Sequence, residues 1–119
     1  MAKVLIADDS DAIRLVLKDI LSIGEHEVLA EAVDGAEAVD FYKQYSPEIL
    51  LLDLAMPKKD GLQVVQEVME LDPKAKIVLI TASDDQKVIS ECLKSGATSY
   101  ISKPFDFNSV LKTIKEILE

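Results

Sequence analysis

Cysteine occurs once in the 119 residues, at Cys92, so no disulfide can form within the chain and a reducing cytoplasm is its expected setting. Histidine also occurs once, at His26, in what reads as a turn ahead of a strand; it is expected at the surface, without a catalytic or metal-binding task. No apolar run approaches the ~20 residues that span a bilayer, and the N-terminus lacks a secretory pattern, so no membrane insertion is expected. Basic residues are scarce: 13 Lys and Arg stand against 22 Asp and Glu, a net charge of −9. Nucleic-acid binding is therefore not expected, since phosphate contacts need Lys and Arg, whereas basic protein partners suit such a surface. Repeats, low-complexity segments and linkers are also missing. With 49% hydrophobic residues, the chain suits one cored domain over residues 1–119, expected as a monomer with no output domain attached.

What is present is a regular alternation of apolar runs and punctuation. Strands are expected at Lys3 to Ala7, Glu27 to Val33, Glu48 to Leu52, Lys76 to Ile80 and Ser99 to Ser102. Between and after them lie stretches of helical period. The first carries Ile13, Val16, Leu17, Ile20 and Leu21 on one face, with Ser10 as N-cap and Gly24 as stop. The second, entered through Asp34-Gly35, carries Ala38, Phe41, Tyr42 and Tyr45; the third, after a loop ending in Asp60-Gly61, carries Leu62, Val65, Val68 and Met69. The fourth, near Asp84 to Ser95, offers Val88, Ile89, Cys92 and Leu93 to the core; the fifth offers Phe107, Val110, Leu111, Ile114 and Leu118.

Strands alternating with helices imply an α/β fold with a parallel sheet. Strands one, three and four are almost wholly apolar, as when both sheet faces are covered, while strand two contains Glu31 and is expected at an edge. Right-handed crossovers then favour a flavodoxin-like (βα)5 doubly wound sheet of order 2-1-3-4-5, an order taken over from known folds of this kind and not deduced from these residues.

Ligands of such sheets bind at the carboxyl ends of the strands. There the sequence places Asp8 and Asp9 after strand one, Asp53 after strand three, Thr81 after strand four and Lys103-Pro104 after strand five. Three carboxylates in one pocket repel one another and call for a cation, and Mg²⁺ suits them because it takes oxygen ligands and needs only one or two direct carboxylates plus phosphate. Lys103 adds a fixed positive charge and Thr81 a hydroxyl donor, a set suited to the equatorial oxygens of a transferring phosphoryl group. Asp53 is best placed as the nucleophile, with adjacent Asp8 and Asp9 holding the metal.

The order and spacing of Asp8-Asp9-Ser10, Arg14, Asp53, Met56-Pro57, Asp60-Gly61, Thr81-Ala82, Gly96-Ala97, Tyr100 and Lys103-Pro104-Phe105 resemble the response-regulator receiver family over essentially the whole chain, most closely its stand-alone chemotaxis members. The resemblance implies that Asp53 accepts a phosphoryl group from a phosphohistidine of a sensor histidine kinase with Mg²⁺. Asp9 and Asp53 would ligate the metal directly, Asp8 through water, and Ala55 through its backbone carbonyl. It further implies that Lys103 pairs with Asp53, that the Lys103-Pro104 peptide is cis, and that Thr81 and Tyr100 switch the face formed by helix four, strand five and helix five. That face would dock a downstream protein, such as a motility apparatus or an adaptor. Ala55 and Ser83, two residues after Asp53 and Thr81, tune dephosphorylation in this family. Both are small, so phosphoryl loss is expected to depend mainly on solvent access. Lys58-Lys59 stands where relatives often carry an apolar residue, with consequences for kinase contacts.

Taken singly, each residue has a plainer reading. Asp8 or Asp9 can cap a helix, Asp53 can begin a turn, and Asp60-Gly61 reads as a turn only. Thr81 and Lys103 can be surface residues, Tyr100 and Phe105 packing, and Arg14 a solvated or salt-bridged face that could touch a kinase. A signalling switch, not an enzyme, is the expected function, with a phosphorelay shuttle or a receiver excised from a longer regulator as alternatives. A haloacid-dehalogenase-like phosphatase is disfavoured because its Asp-x-Asp motif is replaced by adjacent Asp8-Asp9. A phosphorylation-independent module is disfavoured by the full acidic, Thr and Lys set, and a flavodoxin by the lack of a phosphate loop after strand one.

Overall fold

Five short runs of apolar and β-branched residues form strands β1 (Lys3–Ala7), β2 (Glu27–Ala32), β3 (Ile49–Asp53), β4 (Ile77–Thr81) and β5 (Ser99–Ser102). Helices α1 (Asp11–Ile23), α2 (Gly35–Tyr45), α3 (Gly61–Leu71), α4 (Gln86–Lys94) and α5 (Phe107–Leu118) alternate with them. The computed structural model describes residues 2–82 and 86–119, so the start of the fourth helix expected near Asp84, and Ser83 with it, lie outside the described residues. All strand pairs are parallel, in the order β2-β1-β3-β4-β5. The expected doubly wound sheet is therefore the one observed.

Alternation along the strands sorts the core into two layers. Leu5, Leu50, Leu52, Ile77 and Leu79 pack with Val39 and Tyr42 of α2, Val64, Val65 and Val68 of α3, and Ile89 and Cys92 of α4. Val4, Ile6, Ile49, Leu51, Val78 and Ile80 face the other way, onto Leu17, Ile20 and Leu21 of α1 and Val110 and Ile114 of α5. β3 and β4 are buried at every position, as central strands covered on both faces must be. β2 is only partly buried along most of its length, in keeping with its edge position.

Several residues expected toward the core lie outside it. Val16, Tyr45, Leu93, Phe107 and Leu118 are exposed, and Phe41, Leu62, Met69, Val88 and Leu111 are only partly buried. The buried stripe of an amphipathic helix is narrow, so residues at its rim, or beyond the end of the sheet, turn to solvent. Val39 and Val64, which the helical pattern passed over, are buried instead.

Side-chain caps start α1, α2, α3 and α5 where the strand-end loops need them. Ser10 accepts from the Ile13 N–H of α1 (3.2 Å) and Asp34 from the Glu37 N–H of α2 (2.8 Å). Asp106 accepts from the Ser109 N–H of α5 (2.7 Å). Asp60, read above as part of a turn, forms a capping box with Gln63 at the start of α3; its carboxylate satisfies an N–H that the helix itself leaves open. His26 also departs from its surface reading: it is half-buried, and its Nδ1 accepts from the Ala2 N–H at 2.9 Å, tying down the chain ahead of β1. Burial holds its pKa below the usual histidine range. Phe105 is half-buried against the α1/α5 layer.

Cys92 fills the core between α4 and the sheet, and burial first, then Asp60 and Glu91, push its thiol pKa up to about 11. Only about one molecule in a thousand then carries the thiolate at pH 8, and the sulfur is sequestered as well. Iodoacetamide at that pH is expected to leave the native protein unlabelled and to label it fully in urea, by intact mass. Native labelling at the rate of a free peptide thiol would contradict this burial. No helix among the described residues is long and apolar enough to cross a membrane.

Candidate functional site

The sheet runs parallel, so every strand delivers its last residue to one edge. Because β2 lies on one side of β1 and β3 on the other, the connections leaving β1 and β3 diverge and open a crevice above them. Asp8 and Asp9 follow β1 into that crevice, and Asp53 ends β3 beside them. One carboxylate oxygen from each of the three lies within 4.8 Å of the others. Asp8 and Asp53 are buried while Asp9 is exposed. From the far side, after β5, the Lys103 ammonium reaches to 3.2 Å from Asp8 Oδ2 and 3.5 Å from Asp53 Oδ1. Thr81, buried at the end of β4, lines the same cavity of about 520 Å³ with Asp9, Asp53, Ala55 and Lys103.

Charge in this crevice does not balance. Burial is the largest influence on Asp53 and the neighbouring Asp8 the next, and both push its carboxyl above the usual aspartate range. Lys103, the Ala55 N–H that donates to Asp53 Oδ1 at 3.3 Å, and the more distant Asp9 alter this without reversing it. Asp8 is held more fully: its Oδ1 accepts from the Ser10 N–H at 2.8 Å and its own N–H donates to the Ala32 carbonyl at 3.0 Å. Among the described residues, Lys103 alone brings a positive charge to the three carboxylates, and it reaches two of them. The remaining negative charge and the all-oxygen donor set fit a hard divalent cation and not a soft, sulfur-seeking one.

The loop from Asp53 to α3 is pinned from two sides. The Gly61 N–H donates to the Leu54 carbonyl at 3.3 Å, and the Gly35 N–H to the Pro57 carbonyl at 3.2 Å. A Cβ at Gly35 would stand 2.3 Å from the Lys59 carbonyl oxygen, so only glycine allows α2 to start this close. Lys58 adopts a left-handed φ of 71° and pairs with buried Asp34 at 3.4 Å; Lys59 donates to both carboxylate oxygens of Glu67, at 2.6 and 2.8 Å. Both lysines expected to affect kinase contacts are thus engaged with their own chain. Ala55 is exposed in this loop.

The Lys103–Pro104 peptide is cis. Tyr100, on β5, turns its ring outward beside a surface groove shared with Pro104, Asp106, Ser109 and Lys112. Of the two readings open to Arg14, a solvated or a salt-bridged face, the structure shows the second, with more burial than a face residue needs. It is buried, ion-paired to Asp11 and to Glu31 (Nε to Oε1, 3.1 Å), and donates from Nη1 to the Asp8 carbonyl.

A sequence model of the response regulator receiver domain matches residues 4–115. The chain belongs to the response-regulator receiver family. This receiver is 38% identical over 115 residues to the chemotaxis protein CheY of Thermotoga maritima, covering 97% of this chain and 96% of that one. It is 40% identical over 119 residues to the CheY of Halobacterium salinarum, covering 99% and 98%. Its fold superposes with a TM-score of 0.94 on a chain of the CheX-CheY-BeF3-Mg complex of Borrelia burgdorferi, at 34% identity and with 98% of this chain and 89% of that one covered. Receivers are signalling modules rather than turnover enzymes, and the acidic cluster of this one can hold a metal ion. The bond from Arg14 to the Asp8 carbonyl was not expected, and its signal lies in Arg14 being the only arginine in a chain otherwise supplied with lysine, on the first helix beside the paired aspartates.

Proposed function

We propose that this receiver is a phosphorylation switch in which Asp53 accepts a phosphoryl group from a phosphohistidine of a sensor histidine kinase. The observation that carries the reading is the meeting, at one sheet edge, of a buried carboxyl on β3, two further aspartates and a lysine ammonium 3.5 Å from Asp53. In the transfer an Asp53 carboxylate oxygen forms the P–O bond, the P–N bond breaks, and the leaving imidazole takes up a proton. Asp8, Asp9, Asp53 and the Ala55 carbonyl would hold Mg²⁺, which when bound neutralises charge on the phosphoryl oxygens. Lys103 leaves Asp53 for the new phosphoryl oxygens, and the Thr81 hydroxyl donates to another. Transfer of this kind depends on positioning and charge stabilisation more than on covalent chemistry by the protein.

Thr81 and Tyr100 then couple the site to its surroundings. As Thr81 is drawn toward the phosphoryl group, the outward Tyr100 ring turns in, and the face of α4, β5 and α5 changes shape for a downstream partner. A two-state surface biased by added charge is a general design of such switches. Kinship with CheY proteins supports a role in chemotaxis, with a motility component or adaptor as partner and residues 1–119 acting as one receiver unit.

Intact mass after incubation with acetyl phosphate tests this directly. One added phosphoryl group is expected with Mg²⁺ and none with EDTA. Absence of any adduct, together with no thermal stabilisation by beryllofluoride and Mg²⁺, would reduce the chain to a phosphorylation-independent binding module.

A further inference from the structure

The long side chain of Arg14 points back toward the start of α1, as long helical side chains do, and this lays its guanidinium over the corner between β1 and α1. Three separate segments share its donors. Nη1 reaches the Asp8 carbonyl, Nη2 the Asp11 carboxylate in the first turn of α1, and Nε the Glu31 carboxylate on edge strand β2. The Asp8 carbonyl belongs to the peptide joining Asp8 to Asp9, so holding it sets the directions in which both carboxylates leave the backbone. The rest of Asp8 is held as well: its N–H by Ala32, one carboxylate oxygen by Ser10 and the other by Lys103. Arg14 supplies the anchor that this set would otherwise lack.

We infer that Arg14 is a positioning residue for the cation site: it locks the Asp8–Asp9 peptide so that the two carboxylates are arranged before a metal ion arrives. The inference rests on the proposed metal-dependent function. A lysine could not replace it, because three acceptors in three directions match a planar, five-donor guanidinium and not a single flexible ammonium. Partners that orient metal ligands typically contribute 10- to 100-fold to metal affinity.

The sign of the effect separates positioning from simple electrostatics. Removing a positive charge near an acidic site should by itself tighten cation binding. Loss of positioning should weaken it. Lys18 provides the control, since its ammonium pairs with the same Glu31 (3.1 Å), while the Asp8 carbonyl is bonded by Arg14.

Mn²⁺ titration followed by the EPR signal of free Mn²⁺ is expected to show at least tenfold weaker binding for Arg14→Met and for Arg14→Lys. Lys18→Met should leave binding unchanged or slightly tighter. In the metal-free protein, amide exchange by NMR should quicken at least tenfold at Ser10 in both Arg14 variants, with Ile80 in β4 unaffected. Wild-type affinity and unchanged Ser10 exchange in both variants would overturn the assignment, as would equal weakening by Lys18→Met. If the native protein bound no Mn²⁺ while Ser10 exchange still quickened, the metal-dependent function would fall and Arg14 would stand as the clamp of this corner.

Discussion

Asp53→Asn protein incubated with acetyl phosphate and Mg²⁺ is expected to gain no phosphoryl group and, in EDTA, to melt at a higher temperature than the native sequence. An amide oxygen is too weak a nucleophile to form the acyl phosphate, so the first effect is all-or-none. The second follows from the raised pKa of Asp53, caused by burial and then by Asp8. A carboxyl raised above its ordinary 3.8 is one whose ionised form is disfavoured in the fold. The deficit is complete above the folded-state value and disappears as the pH falls below the ordinary one. Asparagine keeps the shape without the charge. Its advantage should be present at pH 7 and fade toward pH 4. Lys103 argues the other way, since it loses a partner, but it keeps Asp8 at 3.2 Å. Calorimetric melts across that pH range decide the matter. A lower Tm for the asparagine variant at pH 7 would mean that the Lys103 attraction outweighs the repulsion, and an adduct at the native rate would move the acceptor elsewhere.

Lys103→Met carries the second large effect. Methionine preserves the apolar stem and removes only the ammonium. In EDTA, Asp8 and Asp53 would then sit buried at their present spacing without the cation that now bridges them. Breaking a buried pair from one side costs about 3 kcal/mol, here roughly 10–15 °C. Millimolar Mg²⁺ should recover much of that loss, because the site then receives a cation of its own. Phosphoryl uptake from acetyl phosphate should not recover. Losing one fixed charge aimed at the transferring group costs on the order of 10²–10³ in rate. A Tm unchanged in EDTA would show that Lys103 contributes nothing to the fold's charge balance. An unchanged uptake rate would remove it from the transfer machinery.

The strands were legible to within a residue, β2 ending at Ala32 and not at Val33. β1 and β5 have the limits expected of them, and β3 and β4 begin and end one residue later because Asp53 and Thr81 continue the ladder. That single residue matters, since it makes both polar groups the last members of rigid central strands. Helix faces were read less well. Phe107 and Leu118 keep the helical period of α5, yet Val110 and Ile114 alone are fully buried on it. Periodicity says which residues share a face; it does not say how much of that face the sheet covers.

Local sequence determined the alternation of strands and helices, the caps at Ser10 and Asp34, and the delivery of Asp8, Asp9, Asp53, Thr81 and Lys103 to strand ends, because each depends on neighbours within one turn or one strand. The tertiary structure alone decided how those residues behave together. Lys103 and Asp8 are 95 positions apart in the chain and 3.2 Å apart in space. The raised carboxyl of Asp53, the burial of Arg14 beneath the Asp8 carbonyl, the His26 bond to Ala2 and the outward ring of Tyr100 likewise depend on which elements face one another. Charge and burial act through space, and only the folded chain sets those distances.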